Sequence, residues 1–217
     1  MYNLFLKKYY EDNKINFDDL DNINVSKFAS FIHTVNLWSQ ILGFLVFQCD
    51  DYKKRKNIIK NLYDENNGDF THVETFYLFL NELNYKKDIS TIPLETYVEL
   101  YNNLLLNMIK NNKFDDNCQI LGSIEYIYQK ISTDLINWFK QKYNRYPENH
   151  FTLHESLDII HSKELFELKL DSIDLVFLLF SFLILLSEEI SRELVHSFPS
   201  AKRNFFISRS ELLLELF

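Results

Sequence analysis

Thr152-Leu153-His154-Glu155-Ser156-Leu157-Asp158-Ile159-Ile160-His161 carries the helical period that the rest of the chain repeats. Thr152 followed three residues later by Glu155 has the form of a capping box, so the sequence predicts a helix with Thr152 as its N-cap and His150 outside it. At about 100° per residue, Asp158 lies about 40° from His154 and His161 about 20° to the other side, so the three project as one stripe. Phe151, Leu157 and Leu165 share that side of the wheel, whereas Ser156 and Lys163 occupy the other. The stripe therefore faces the core. Three ionisable side chains in an apolar interior are costly unless they are paired, hydrogen-bonded or bound to a metal. A satisfied His–Asp–His network is one reading. A ligand set for iron, manganese or zinc is the other.

Outward from this helix the same period continues. Three glycines and three prolines leave few turn signals, and no segment alternates as a strand would. The sequence predicts an all-α domain of seven to eight helices, at 25–47, 50–66, 72–85, 91–112, 116–142, 152–168, 171–197 and 208–217. Breaks fall at Asn66-Asn67-Gly68-Asp69, Thr91-Ile92-Pro93, Asn111-Asn112, Arg145-Tyr146-Pro147 and Phe198-Pro199. No linker or repeat divides 1–217, so one domain is expected.

Hydrophobic residues at 47% and charged residues at 25% argue against disorder. A net charge of −8 argues against a nucleic-acid partner, because phosphate binding needs clustered Lys and Arg. Cys49 and Cys118 fit neither a disulfide framework nor a four-cysteine zinc site, and a cytoplasmic location is expected. Met1 to Tyr10 lacks the pattern of a signal peptide. The longest apolar run, Leu175 to Leu186, falls well short of the ~20 residues that cross a bilayer, so no transmembrane segment is expected. The helix from Asp171 to Val195 is apolar over much of its circumference. It is either central to the bundle or the interface of a homodimer.

Two further places put ionisable groups on apolar faces. Glu65 shares a face with Ile58 and Leu62, and His72 shares one with Phe76, Phe79 and Leu83. Asn67-Gly68 between them breaks or unwinds the helix. Glu125 is a lone acid among Leu121, Ile124 and Tyr128, and Gly122, one turn before it, suggests a need for space beside that acid. Together Glu65, His72, Glu125, His154, Asp158 and His161 supply three carboxylates and three imidazoles from three helical segments. Two ferrous ions need such a set: carboxylates to bridge and offset charge, imidazoles to complete each ion.

In order and spacing these residues resemble the metal-ligand pattern of the haem-oxygenase-like dimetal oxidases. The resemblance runs over roughly residues 20–168 and takes in Cys49-Asp50-Asp51 and Asn61-Leu62-Tyr63-Asp64-Glu65 as well as the ligands. It implies a bundle of haem-oxygenase topology holding two iron ions, or one manganese and one iron. It also implies O₂-dependent oxidation of a small organic substrate, amino-acid-like or belonging to the p-aminobenzoate pathway. Some members of the nearest branch use a tyrosine of their own and a lysine for that reaction; an ungapped alignment puts Leu135 at the lysine's position.

Other residues have plainer readings. Cys118 reads as a small core residue, although thiaminase-like relatives of the same fold use a cysteine nucleophile. His33, among Phe28, Phe31 and Val35, reads as a core histidine, and His150 as a residue at a pocket mouth. Two alternatives to the oxidase stand beside it: a metal-free enzyme or binder on the same fold, and a helical interaction or effector protein.

Overall fold

The computed structural model describes residues 2–12, 25–66 and 70–166. Among them the regular structure is helical and no strand occurs, as expected. The helices are α1 (Tyr2–Asp12), α2 (Val25–Ala29), α3 (Ile32–Gln48), α4 (Tyr52–Asn66), α5 (His72–Glu82), α6 (Thr96–Asn111), α7 (Phe114–Tyr143) and α8 (Phe151–Phe166). The helices expected at 171–197 and 208–217, and the homodimer interface suggested for the first, lie outside the described residues.

Four boundaries differ from the expectation. Helix α1 was not foreseen; its Leu6 is fully buried, packed with Ile127 of α7. The helix expected at 25–47 is split by a turn at Ser30-Phe31. Ahead of α6 a 3₁₀ turn at Ile89–Thr91 gives way to extended backbone at Ile92, because the following Pro93 disfavours the helical conformation there. The Thr152 cap does not form. Helix α8 begins one residue earlier, with His150 in the left-handed region (φ 45°) and its carbonyl accepting from the Leu153 and His154 amides at 3.0 Å. The capping box is found instead at Thr71/Glu74, which opens α5.

Helices α7 and α8 form the most extensive contact and run antiparallel. Near one end Gly122 meets Leu165 and Phe166; near the other Tyr128 meets Phe151. A β-carbon on Gly122 would come within 3.0 Å of the Phe166 ring and 3.2 Å of the Leu165 Cβ. Glycine is therefore there for close helix approach, and not for space beside Glu125.

Two apolar clusters flank one polar layer. The first joins Leu42, Leu45, Ile58, Leu105, Leu121 and Leu165, and the second joins Phe76, Phe79, Leu135, Phe139 and Phe151. Along α7 the order is Leu121, Glu125, Leu135; along α8 it is Phe151, His154, Asp158, His161, Leu165. Both helices thus pass from one cluster to the other through the ionisable residues. By length and composition Val25–Gln48 could cross a membrane, with mean hydropathy 1.3. Its Ile32, Ile41, Leu42 and Leu45 are nevertheless buried core residues of this bundle.

Candidate metal centre

Four helices supply the six side chains, and not three segments, because α4 ends at Asn66 and α5 starts afresh at His72. Glu65 comes from the last turn of α4, His72 from the first of α5, Glu125 from α7, and His154, Asp158 and His161 from α8. All six are buried, none more than 5% exposed. The entry into α8 is pinned at Glu82, whose carboxylate accepts from Arg145, the Glu148 amide and Asn149. That contact fixes where the His154 stripe begins.

Each histidine gives one ring nitrogen to a carboxylate. His72 Nδ1 lies 2.6 Å from Glu65 Oε2, His154 Nδ1 2.8 Å from Asp158 Oδ1, and His161 Nε2 3.1 Å from Asp64 Oδ2. An ionised carboxylate can only accept, so the nitrogen facing it is the N–H. The other nitrogen of each ring, His72 Nε2, His154 Nε2 and His161 Nδ1, is buried with no hydrogen-bond partner, and so are Glu65 Oε1 and Asp158 Oδ2. Of these, His154 Nε2, His161 Nδ1 and Glu65 Oε1 are acceptors outright; His72 Nε2 and Asp158 Oδ2 become so once the raised His72 ring gives up its second proton and Asp158 its share of the one it holds with Glu125. A buried group of unpartnered acceptors fits a cation, since a cation satisfies lone pairs without needing any group to donate.

Glu125 lies at the middle of the charge. Its Oε1 accepts from Trp38 Nε1 at 3.2 Å and Asn61 Nδ2 at 3.4 Å. Glu65, Glu125 and His161 each offer a ligand atom within 4.8 Å of the other two. Burial, then the charges of Asp158 and Glu65, hold Glu125 well above the usual carboxylate range. Burial and the Glu65 charge do the same to Asp158, so the two acids share a proton. His154 is pushed down to about 3 by burial and by His72. Burial also pulls on His72, but the Glu65 hydrogen bond and charge outweigh it and leave that ring raised.

No protein-family model matches the chain, and no curated protein does. The reading of the site rests on its own geometry.

Several residues at the site were not found from sequence. His150, expected at a pocket mouth, is 1% exposed and meets the His154 ring edge-on, with centroids 4.4 Å apart. The Thr75 hydroxyl donates to the His72 carbonyl at 2.9 Å, so His150 Nδ1 donates to Thr75 at 3.1 Å and Nε2 accepts from the Tyr128 hydroxyl at 2.9 Å. Burial, His154 and His72 hold His150 well below its ordinary value, so it stays neutral. Tyr128 and Asn61 stand one helical turn from Glu125 and Glu65, which was the available signal. Trp38 carried none.

Other candidates lie elsewhere. His33 Nε2 donates to the Ile92 carbonyl. Cys49 and Cys118 are buried and unpaired, and burial raises the Cys118 thiol far out of the reactive range. Leu135 sits in the second apolar cluster, and the Tyr10 hydroxyl donates to Asp134.

Proposed function

We propose that the chain binds a dinuclear non-haem iron centre and uses it for O₂-dependent oxidation of a small organic substrate, on a bundle of haem-oxygenase-like topology. One observation carries the reading: of six buried ionisable side chains supplied by four helices, five each have a ring nitrogen or carboxylate oxygen with no hydrogen-bond partner. Glu65, His72 and Glu125 would hold one ion, and Glu125, His154, Asp158 and His161 the other. Among the described residues the group close enough to hold a single ion is Glu65, Glu125 and His161, which takes one ligand from each set besides the shared Glu125 and so cuts across this division. When bound, two Fe(II), or one Mn and one Fe, would supply the electrons that reduce O₂.

The protein's own part is coordination, orientation and exclusion of water. Asp64 and Asp158 fix the tautomers of His161 and His154, leaving the opposite nitrogens as ligands. Trp38 and Asn61 hold Glu125 by one oxygen. The apolar clusters on either side keep the layer dry, which strengthens each electrostatic contact. Six ligands, half of them carboxylates, suit redox-active ions better than a hydrolytic zinc, which keeps three protein ligands and an open position.

Anaerobic loading with Fe(II) followed by elemental analysis and stopped-flow mixing with O₂ tests the reading. Close to two ions per chain and oxidation to a ferric product through an absorbance transient are expected. His154→Ala should abolish the transient while the helix stays anchored by the buried Phe151 and Leu165. No metal uptake by the wild type would sink the proposal.

A further inference from the structure

Helix α4 opens with Tyr52-Lys53-Lys54-Arg55-Lys56, and no acid occurs from 52 to 63. At about 100° per residue Ile59 and Tyr63 lie about 20° to either side of Tyr52, and Lys56 and Lys60 follow about 40° and 80° round the helix. This stripe faces solvent: Tyr52 is 74% exposed, Ile59 47% and Tyr63 59%. Single exposed apolar residues need no explanation, but three in line on one helix, rimmed by lysine, do. The opposite side of α4 is already used, with Ile58, Asn61 and Glu65 buried in the bundle. Lys60 pairs with Glu164 of α8 at 2.9 Å, which carries the face across to Ile160, 44% exposed.

The free charge on this face is of one sign. Asp50 precedes the helix and Asp51 caps it, accepting from the Lys53 and Lys54 amides. Asp115 pairs with Lys54, Glu164 with Lys60, and Asp64 with His161. Lys53 and Lys56 have no acidic partner among the described residues. On a chain of net charge −8 this is a local reversal of sign.

We infer that this face of α4 docks on an anionic lipid surface, the helix lying in the plane of the head groups with Tyr52, Ile59 and Tyr63 inward and the lysines at the phosphates. Lysine suits that position, because its stem lies along apolar surface while the ammonium stays at the polar boundary. Tyrosine suits it for the same reason, with an apolar ring and a polar tip. A protein partner fits less well. Lysine is depleted at protein–protein interfaces, and a second copy docked face to face would set these lysines against their own kind. The contact is peripheral and independent of any metal.

Sedimentation of the full chain with phosphatidylcholine vesicles, with and without about one-quarter phosphatidylserine, reads the docking. Binding to the anionic vesicles alone is expected, in chelator and with Fe(II) alike. It should fall as salt rises from about 0.1 to about 1 M and the screening length shortens from ~10 to ~3 Å. Each lysine near an anionic surface is worth about five-fold in partitioning, so Lys53→Gln with Lys56→Gln should weaken binding about 25-fold. Tyr52→Ser with Ile59→Ser should weaken it at least about ten-fold at low salt with the circular dichroism melt unchanged, since both side chains are exposed. Lys86→Gln with Lys87→Gln, the same charge removed from the connection after α5, should leave it unchanged. No binding to anionic vesicles, binding that ignores phosphatidylserine, binding untouched by Tyr52→Ser with Ile59→Ser, or equal losses in the two lysine pairs would each overturn the proposal. So would wild-type dimerisation in analytical ultracentrifugation that Tyr52→Ser with Ile59→Ser abolishes, since the face would then belong to a second copy.

Discussion

Metal removal and Glu125→Gln should change stability in opposite directions, a pattern a purely structural polar network would not give. Without an ion, each buried, unpartnered polar atom costs about 1–3 kcal/mol, so five of them hold at most roughly 5–15 kcal/mol of unrealised interaction. That is as large as the whole stability of a typical domain, ~5–15 kcal/mol. A divalent ion at a hundred times its dissociation constant adds about 2.7 kcal/mol by mass action. For a chain of this length 1 kcal/mol moves the midpoint by ~2–4 °C, so loading should raise it by roughly 5–11 °C. Glu125→Gln removes the acid that burial and Asp158 hold in its neutral form, yet keeps an oxygen for Trp38 and Asn61. In chelator that variant should melt at or above the wild-type temperature; with metal it should fall below the wild type, having lost the ligand proposed to serve both ions. Far-UV circular dichroism melts in EDTA and in anaerobic Fe(II) or Mn(II) read both arms. A wild-type midpoint indifferent to metal, or a variant equally destabilised in both conditions, would refute the argument.

The pH dependence follows from the same groups. Glu125 and Asp158 have raised values in the fold, so the stability they contribute is full below the ordinary carboxylate range and is lost as pH rises through their folded values. His150 and His154 are lowered; theirs is present above the ordinary histidine value of ~6.5 and lost as pH falls toward the folded values, about 3 for His154. Metal displaces the shared proton, so the metal-induced rise in midpoint should grow from pH 5 to 8, and a rise that shrinks over that range counts against the assignment. Asp158→Ala should weaken one ion more than the other, as read by elemental analysis after dialysis; equal retention would contradict the division into two groups. Tyr128→Phe removes the donor to His150 Nε2 and should cost about 1–3 kcal/mol in denaturant melts without lowering the metal count. Gly122→Ala should lose roughly 1 kcal/mol despite the better helix propensity of alanine, because overpacking against Leu165 and Phe166 costs more than the ~1 kcal/mol gained; a more stable variant would mean that the Phe166 ring swings clear.

Periodicity reveals which face of a helix is apolar, and that is why the six ionisable residues could be picked out: each interrupts an otherwise apolar stripe, and all six are buried. It cannot reveal which end of a side chain is satisfied, and here that distinction carries the chemistry. His154 and Asp158 are four apart on one helix, and from sequence their mutual hydrogen bond looks like a reason to need no metal. The fold shows that the bond uses one nitrogen and one oxygen and leaves the other of each buried and unpartnered. Local signals misled in two places for the same reason. Thr152 and Glu155 have the spacing of a cap, but α8 is started by tertiary contacts that seat His150 between Thr75 and Tyr128, so the helix begins earlier and His150 is carried inside. Gly122 was explained by its nearest acid in the chain when its nearest neighbours in space are on α8. Trp38, 87 residues from Glu125 and on a helix whose pattern is plainly apolar, had no local signal at all. What long-range packing adds is a set of fixed donors and dry walls around Glu125, and these determine whether a buried acid is a liability to the fold or a ligand waiting for its ion.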